Sequence, residues 1–289
     1  MKLLAITTPP RPQSERAAAR NVARRNAGRP STVPMLANTT ARREASVVAF
    51  RAARMAGMFW TFVDATQVAD RRVVIAGLPG HHLARVLRVR LGERGVAVSH
   101  GTEYEIEVAE VGGGRVVGRI VGERPIQGEA GVGITLLQAV LPNPDFDAVI
   151  EAGTAVGIER FIAVQAERSV ARPAPQRLAR WQAIASSAAE QSHRGAVPKI
   201  VGPVPLSAAL QQAGGARLLV LEPSVSLPLV QAIDGSDRYT IAVGPEGGWT
   251  DTELSLMRER GGVAVNLGPR ILRARLASVV AAAILVQQR

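Results

Sequence analysis

The feature that most constrains the fold of this chain is an alternation of strand and helix patterns, separated by glycine turns, over residues 239–273. Residues 239–243 form a short β-rich run, and GPEGG follows at 244–248 as a turn whose backbone favours glycine. Thr250 and Glu253 have the spacing of a capping box, in which the Thr side chain accepts one free N–H and the Glu side chain returns to the Thr amide. The sequence therefore predicts strand, glycine loop and helix in direct succession.

A second unit of the same kind follows. Gly261 and Gly262 end the predicted helix, residues 263–267 predict another strand, and Gly268 turns the chain into an apolar helix from about Ile271. Because successive strand, helix and strand pair in parallel, both glycine loops are predicted to leave neighbouring strands at one edge of the sheet. Their exposed N–H and C=O groups suit a nucleoside-like ligand at that edge. The alternative is that the loops serve chain reversal alone.

Composition excludes several kinds of site. The chain of 289 residues has no cysteine, which excludes a disulfide framework, a thiolate metal site and a cysteine nucleophile. Its four histidines lack the HExxH spacing, which argues against zinc, and the absence of a Walker sequence argues against an NTPase. The longest apolar run, residues 276–286, is too short to span a bilayer and predicts a buried helix. We therefore expect no metal and no membrane segment.

Net charge is concentrated at the amino terminus. Of the formal +11, residues 1–57 carry +9, from eleven Lys and Arg against two Glu, and the remainder carries only +2. The first 57 residues lack sustained apolar periodicity and predict a disordered basic extension. Three interpretations compete: an upstream start artefact with Met55 or Met58 as the true beginning, an organelle targeting segment, and a basic tail that binds RNA phosphates. We favour the first, because residues 59–64 immediately predict a strand and the Arg-rich composition suggests a GC-rich genome, in which spurious upstream reading frames are common.

Two structured regions are predicted after this extension. The first, residues 58–123, is predicted to be a small β-barrel from short β-type runs separated by glycines, at 73–75, 95–99, 104–108 and 115–121. Residues 123–133 form a candidate linker. The second region, residues 134–289, is predicted to be an α/β domain, with further strands at 134–141, 160–165 and 217–221 and helices at 146–156 and 176–191.

The two glycine motifs together carry a family resemblance. GPEGG at 244–248, followed about twenty residues later by LGPRILR at 267–273, resembles the C-terminal signature of the RsmE family, the 16S ribosomal RNA uracil-N3 methyltransferases of the SPOUT class. The resemblance implies a C-terminal SPOUT-type trefoil-knotted α/β domain and an N-terminal PUA-like β-barrel. It also implies a cytoplasmic homodimer that methylates N3 of a uridine in small-subunit ribosomal RNA, with S-adenosylmethionine as methyl donor and no metal.

The resemblance also implies a donor site, where LVLEP at 219–223 ends a strand at the same edge as the glycine loops. Arg273 and Glu246 are the implied catalytic residues. A cation near the uracil carbonyls would stabilise the charge left when the N3 proton is lost, which suits Arg273, and Glu246 could orient the base or accept a proton. The alternatives are that Arg273 anchors the last helix and that Glu246 holds its own loop. The implied donor-binding residues are Leu221, Glu222, Gly244, Gly247, Gly248, Leu267, Gly268, Ile271 and Leu272.

A basic helix is predicted within the first region. Residues 80–90 place Leu83, Val86 and Leu87 inward at helical spacing, with Arg85 and Arg88 on an outer face. The simple interpretation is a solvated basic face on a packing helix. However, HHLxRVLR at 81–88 resembles the RNA-binding segment of the family's PUA-like domain, and the implied RNA-binding residues are His82, Arg85 and Arg88.

The sequence EQSHR at 190–194 closes the long predicted helix. Cations at a helix carboxyl end complement its dipole, so His193 and Arg194 are candidates for simple capping. The family has a closely similar Glu-Gln-Ser-x-Arg sequence, and the resemblance implies that Arg194 lies near the RNA substrate.

The chain departs from the family pattern at two places. ARLA at 274–277 stands where the family commonly has Thr-Glu-Thr-Ala, and AGTAVG at 152–157 lacks the Lys and the Glu of a Lys-Ala-Thr-Glu-Leu-Gly pattern. These departures leave open a non-catalytic RNA-binding paralogue of the same fold. A nucleotide-binding α/β enzyme unrelated to RNA is a third interpretation.

Overall fold

The computed structural model describes residues 58–172 and 176–288, which are arranged in two sheets with their helices. The three interpretations of residues 1–57 concern a part of the chain outside this description. Within the described residues, no helix combines the length and the apolar character needed to cross a bilayer. The same residues hold no group of three or more His, Asp or Glu side chains arranged to bind a metal ion.

The first sheet contains six strands in the order β1-β4-β5-β6-β3-β2. These are β1 (Phe59–Phe62), β2 (Val68–Ala69), β3 (Arg72–Ile75), β4 (Arg94–Ser99), β5 (Thr102–Gly112) and β6 (Arg115–Pro125). β1 pairs with β4 in parallel, and the other pairs are antiparallel. Alternate residues face a core, so Val73 and Ile75 are fully buried and pack with Leu83 and Ile106. All five strands predicted for this region, including the one at residues 59–64, are confirmed.

The predicted basic helix is only partly α-helical. Helix α1 (Gly77–His81) continues as a π-helix over His82–Leu87, and the N–H of Arg88 bonds to the carbonyl of Leu83. Leu83 is buried as predicted, but the prediction that Val86 and Leu87 face inward is wrong, since they are 62% and 52% exposed. Hydrogen bonds from i to i+5 add a residue to the turn, so an apolar spacing of three or four no longer returns to the same face.

The second sheet is entirely parallel, as predicted. Its strands are β7 (Gly133–Ala139), β8 (Arg160–Gln165), β9 (Lys199–Pro205), β10 (Arg217–Leu221), β11 (Arg238–Val243) and β12 (Val263–Val265), in the order β12-β10-β11-β7-β8-β9. Every residue of the central strand β7 is buried, as expected where helices cover both faces of a parallel sheet.

Five helices cover the two faces of this sheet. They are α2 (Asp145–Val156), α3 (Arg177–Gln191), α4 (Leu206–Ala213), α5 (Asp251–Glu259) and α6 (Ala274–Val286). One core layer includes Phe146 of α2 and Trp181 of α3, whose ring centroids are 4.4 Å apart. The other layer includes Leu210 of α4 and Met257 of α5. The carboxyl edge of the sheet is therefore held between two packed layers, which fixes the loops that leave it.

The capping box of α5 is confirmed, because the N–H of Glu253 donates to Thr250 Oγ1 and the N–H of Thr250 donates to Glu253 Oε2. The final helix begins at Ala274, three residues later than predicted. Gly268 has a positive φ of 98° and Pro269 follows it, so the segment from Gly268 to Arg273 forms an irregular, largely exposed loop before α6.

Candidate functional site

Three loops leave the carboxyl ends of adjacent strands in the second sheet. β10 lies between β11 and β12, so the loop after Leu221 separates the two glycine loops. The prediction that the strands before the glycine loops are direct neighbours is therefore wrong, because α5 carries the chain across β10 before β12 pairs. The prediction that both glycine loops and Leu221-Glu222 share one edge is confirmed by the parallel pairing.

A small, partly open pocket lies between the loops after β10 and β12. Of the residues implied as donor-binding, Leu221, Glu222, Leu267, Gly268 and Leu272 line it. Ile271 instead lines an adjoining open groove and is 87% exposed. Residues that sequence reasoning did not place here are Pro223, Val265, Asn266, Arg270 and Ala277.

Asn266 organises both walls of this pocket. Its side-chain amide donates to the carbonyl of Val225 and accepts from the N–H of Gly268, at 2.9 and 2.8 Å. Its backbone donates to Leu227 and accepts from Leu229, each at 2.8 Å. Asn-x-Gly is a sequence signal for a turn in which the Asn side chain bonds the amide two residues later, so this residue could have been found.

The glycine loop after β11 does not line the pocket. Its Gly244 is buried, and Gly248 has a φ of 71° and donates its N–H to the carbonyl of Pro245. The loop after β8 contacts it, because Arg168 Nη1 donates to the carbonyl of Gly247 at 2.9 Å. The structure therefore places Gly244, Gly247 and Gly248 in one loop after the strand next to β10, apart from the five implied donor residues that line the pocket.

Arg273 and Glu246 are both exposed at this edge. The carbonyl of Arg273 accepts the N–H groups of Leu276 and Ala277 at the start of α6. Within the described part of the chain, neither the Arg273 guanidinium nor the Glu246 carboxylate makes a hydrogen bond or an ion pair. The alternative that Glu246 holds its own loop therefore has no hydrogen bond to support it.

The candidate RNA-binding residues fall into two places. His82, Arg85 and Arg88 are exposed on the π-helix and at its end. Arg194, in contrast, is only 4% exposed. Its guanidinium donates to both carboxylate oxygens of Glu129 and to two buried backbone carbonyls, those of Thr154 and Ile158. The structure therefore places Arg194 in the interior with protein acceptors around its guanidinium, and its position near the RNA substrate stays a prediction.

The remainder of EQSHR joins the first sheet to α3. Trp60 stacks on His193 with ring centroids 4.8 Å apart, and Thr61 Oγ1 donates to Glu190 Oε1 at 3.1 Å. Burial raises the pKa of the Glu190 carboxyl, although the hydrogen bond from Thr61 and the nearby His82 act in the opposite direction. EQSHR therefore connects the first sheet to the end of α3.

The residues that depart from the family pattern lie mostly on the surface. Arg275 Nη1 donates to Asp145 Oδ1 at 2.8 Å and so connects the start of α6 to the start of α2. Leu276 is 49% exposed, Ala155 is exposed and Ala152 is half-buried. Neither these four side chains nor that of Ala274 lines the pocket, so the departures leave its walls intact.

Comparison with known proteins agrees with this geometry. A family model described as an RNA methyltransferase domain matches residues 129–286. The chain is 33% identical over 234 residues to the ribosomal RNA small subunit methyltransferase E of Mycobacterium tuberculosis, covering 76% of this chain and 88% of that one. It is 30% identical over 225 residues to the protein of that name from Synechocystis, covering 75% and 73%.

A solved structure has the same fold. The crystal structure of a ribosomal RNA small subunit methyltransferase E from Neisseria gonorrhoeae bound to S-adenosyl methionine superposes with a TM-score of 0.71 at 29% identity, covering 78% of this chain and 95% of that one. The resemblance that GPEGG and LGPRILR carry is thereby confirmed. By sequence and by fold, the chain belongs to the ribosomal RNA small subunit methyltransferase E family.

Proposed function

We propose that this chain transfers a methyl group from S-adenosylmethionine to N3 of a uridine in small-subunit ribosomal RNA. The observation that carries the proposal is the pocket between the loops after β10 and β12, which five of the nine implied donor residues line. The relatives that match most of the chain are named as small-subunit ribosomal RNA methyltransferases, and one of them is bound to S-adenosyl methionine.

The pocket residues fit such a donor. Leu221, Leu267 and Leu272 supply apolar walls for a flat base, while Glu222 and Arg270 supply charge for polar groups at the rim. Gly244, Gly247 and Gly248 on the adjacent strand would add backbone groups beyond the pocket. S-adenosylmethionine, when bound, supplies an electrophilic methyl group on its sulfonium. No metal ion is needed for this chemistry.

Methylation at N3 requires loss of the N3 proton, which leaves negative charge on the uracil oxygens. Arg273 is exposed at the pocket edge, and its guanidinium has no partner within the described residues, so it is available to stabilise that charge. Glu246 is likewise exposed without a partner and is our candidate to orient the base or accept the proton. A base that reacts at N3 must be unpaired, so we expect a loop or a flipped nucleotide as substrate.

The first sheet is our candidate for the RNA-binding part. We propose that it corresponds to the family's PUA-like barrel and that His82, Arg85 and Arg88 contact the RNA, which their exposure supports. We also propose the trefoil knot implied by the resemblance. The bridge between Pro228 and Asn266 supports it, because it ties the loop after β10 to the loop after β12.

We further propose that the protein acts as a cytoplasmic homodimer. The apolar side chains of Ile271 and Leu276 are 87% and 49% exposed near the pocket, and a second subunit would remove them from water. Analytical ultracentrifugation at micromolar concentration tests this, and a monomer at all concentrations would contradict it.

Methyl transfer from labelled S-adenosylmethionine to small ribosomal subunits from a strain lacking this gene tests the function. We expect label at N3 of a uridine, and we expect Arg273→Ala to lower kcat about 100-fold. Arg258→Ala is the matched control, because Arg258 is an exposed arginine on the outer face of α5. RNA binding without transfer would instead support the non-catalytic paralogue that the departures at Ala274 and Ala155 suggest. Donor binding without RNA affinity would support a nucleotide-binding enzyme unrelated to RNA.

A further inference from the structure

The loop after β8, residues 166–172, is built to present one arginine to the glycine loop. The N–H of Ser169 donates to the carbonyl of Ala166, and Arg172 Nη1 donates to the carbonyl of Ser169. Gln165 adds a third hydrogen bond across the segment, to the carbonyl of Ala171. These contacts hold the backbone on both sides of Arg168 in a compact turn.

Arg168 fixes the peptide unit between Gly247 and Gly248. Its Nη1 donates to the Gly247 carbonyl at 2.9 Å, and the Gly248 N–H at the other end of the same unit donates to Pro245 at 2.9 Å. A Cβ at Gly247 would lie 3.4 Å from the Cβ of Arg168, so the arginine stem packs directly on the glycine. A loop of three glycines has wide conformational freedom, and this unit is held at both ends.

The same arginine fixes a second peptide unit. Arg168 Nη1 also donates to the Trp249 carbonyl at 3.3 Å, and the Thr250 N–H of that unit donates to Glu253 Oε2 at 2.9 Å. Glu253 Oε1 accepts the N–H of Glu167 at 2.9 Å. The loop after β8 is therefore joined to the segment that follows the glycine loop by a side chain from each of the two.

Two buried polar atoms at this contact have no partner within the described residues. They are Nε1 of Trp249 and Oγ of Ser169, in side chains that are 4% and 5% exposed. Because buried polar groups are almost always paired, the loop pair is incomplete by itself.

We infer that Arg168 is a positioning residue, which holds the glycine loop in the conformation that binds the methyl donor. The inference rests on the proposed function and extends it to a residue outside the pocket. Arg168 acts through backbone carbonyls and is not itself assigned a contact with substrate. Its removal leaves the pocket walls intact, because Asn266 holds those independently.

The test uses Arg168→Ala, Arg168→Lys and Arg160→Ala in the full chain. Arg160→Ala is the matched control, because Arg160 Nη1 also donates to a backbone carbonyl, that of Gln212 at 2.7 Å, at the opposite end of β8. We expect Arg168→Ala to raise the Kd for S-adenosylmethionine, measured by calorimetry, about tenfold, because it removes the charge-assisted hydrogen bonds to the Gly247 and Trp249 carbonyls. We expect Arg168→Lys to recover part of this, since an ammonium reaches one carbonyl but lacks the guanidinium fork.

Two further readouts separate positioning from general destabilisation. Hydrogen exchange without ligand is expected to accelerate at the amides of Gly248 and Thr250 in Arg168→Ala, with a melting temperature close to wild type. In the transfer assay, KM for the donor is expected to rise while kcat changes less than about twofold. Unchanged Kd and unchanged exchange in Arg168→Ala, or equal effects in Arg160→Ala, would overturn the inference. Absence of donor binding by the wild type would refute the proposed function instead, and the exchange measurement would still decide the role of Arg168 in the loop.

Discussion

Replacing Arg194 with alanine is expected to weaken the fold and not the contact with RNA. The side chain is 4% exposed, and its guanidinium donates hydrogen bonds to the Glu129 carboxylate and to the carbonyls of Thr154 and Ile158. Glu129 also accepts the N–H of Gly195 at 2.7 Å, so the pair links the segment before β7 to the end of α3. Alanine removes four donated hydrogen bonds, and the Glu129 carboxylate then keeps, among the described residues, only the N–H of Gly195 and loses its cationic partner.

The magnitude follows from the burial of each partner. Breaking a buried ion pair by removing one member costs about 3 to 5 kcal/mol. The Glu129 side chain is 32% exposed, so water can reach it, and we expect the lower end of that range, about 3 kcal/mol. For a folded unit of this size, such a loss lowers the melting temperature by roughly 6 to 12 °C.

Urea denaturation followed by tryptophan fluorescence measures this loss, because Trp60 stacks at the same junction. Arg194→Lys keeps the charge but cannot bond four acceptors, so we expect it to retain less than half of the lost stability. Arg258→Ala, at an exposed position, controls for removal of a cation and is expected to stay within about 0.5 kcal/mol of wild type. An Arg194→Ala protein with wild-type stability and weakened RNA affinity would refute this reasoning and restore Arg194 to the RNA interface.

Three other outcomes follow from the described contacts. Because burial raises the pKa of Glu190, its folded form binds the proton more tightly, and the free energy of unfolding falls as pH rises from the ordinary carboxyl pKa through the raised value. Glu190→Gln is therefore expected to be more stable than wild type at pH 7 and equally stable at about pH 4, as measured by denaturation at a series of pH values. A stability difference that does not change with pH would show that the carboxyl titrates normally. Arg85→Ala and Arg88→Ala are each expected to lower the slope of log RNA affinity against log salt by roughly 0.7 to 0.9, and an unchanged slope would remove that residue from the interface. In Gly268→Ala the added Cβ meets no atom within 4 Å, but an L residue has to adopt a φ of 98°. We therefore expect the free energy of unfolding to fall by about 1 to 2 kcal/mol and donor binding, measured by calorimetry, to weaken. Wild-type values for both would show that the loop relaxes freely.

The parallel sheet was predictable because local signals agreed with one another. The capping box at Thr250 and Glu253 and the glycines that flank it specify a strand, a helix and a strand without reference to distant residues. The order of the strands was not predictable, because β10 enters between β11 and β12 by a contact that no local pattern records.

Other features escaped prediction for distinct physical reasons. Strand β9 contains Gly202 and Pro203, which read as a break, and so it and α4 were not predicted. The π-helix has the same local composition as an α-helix, so an α-helical spacing placed Val86 and Leu87 on the wrong face. Arg194 stands at the end of a predicted helix, where an arginine is typical of a cap. Only the folded chain brings Glu129, which lies 65 residues earlier in the sequence, to its guanidinium.

The hydrogen bonds of Asn266 have a thermodynamic consequence for ligand binding. Because one residue ties Val225, Leu227 and Leu229 to Gly268, the two walls of the pocket are already ordered before a ligand arrives. A ligand that enters therefore loses little of its binding free energy to ordering these loops. The walls also cannot widen separately, so selectivity for ligand shape is set in the free protein.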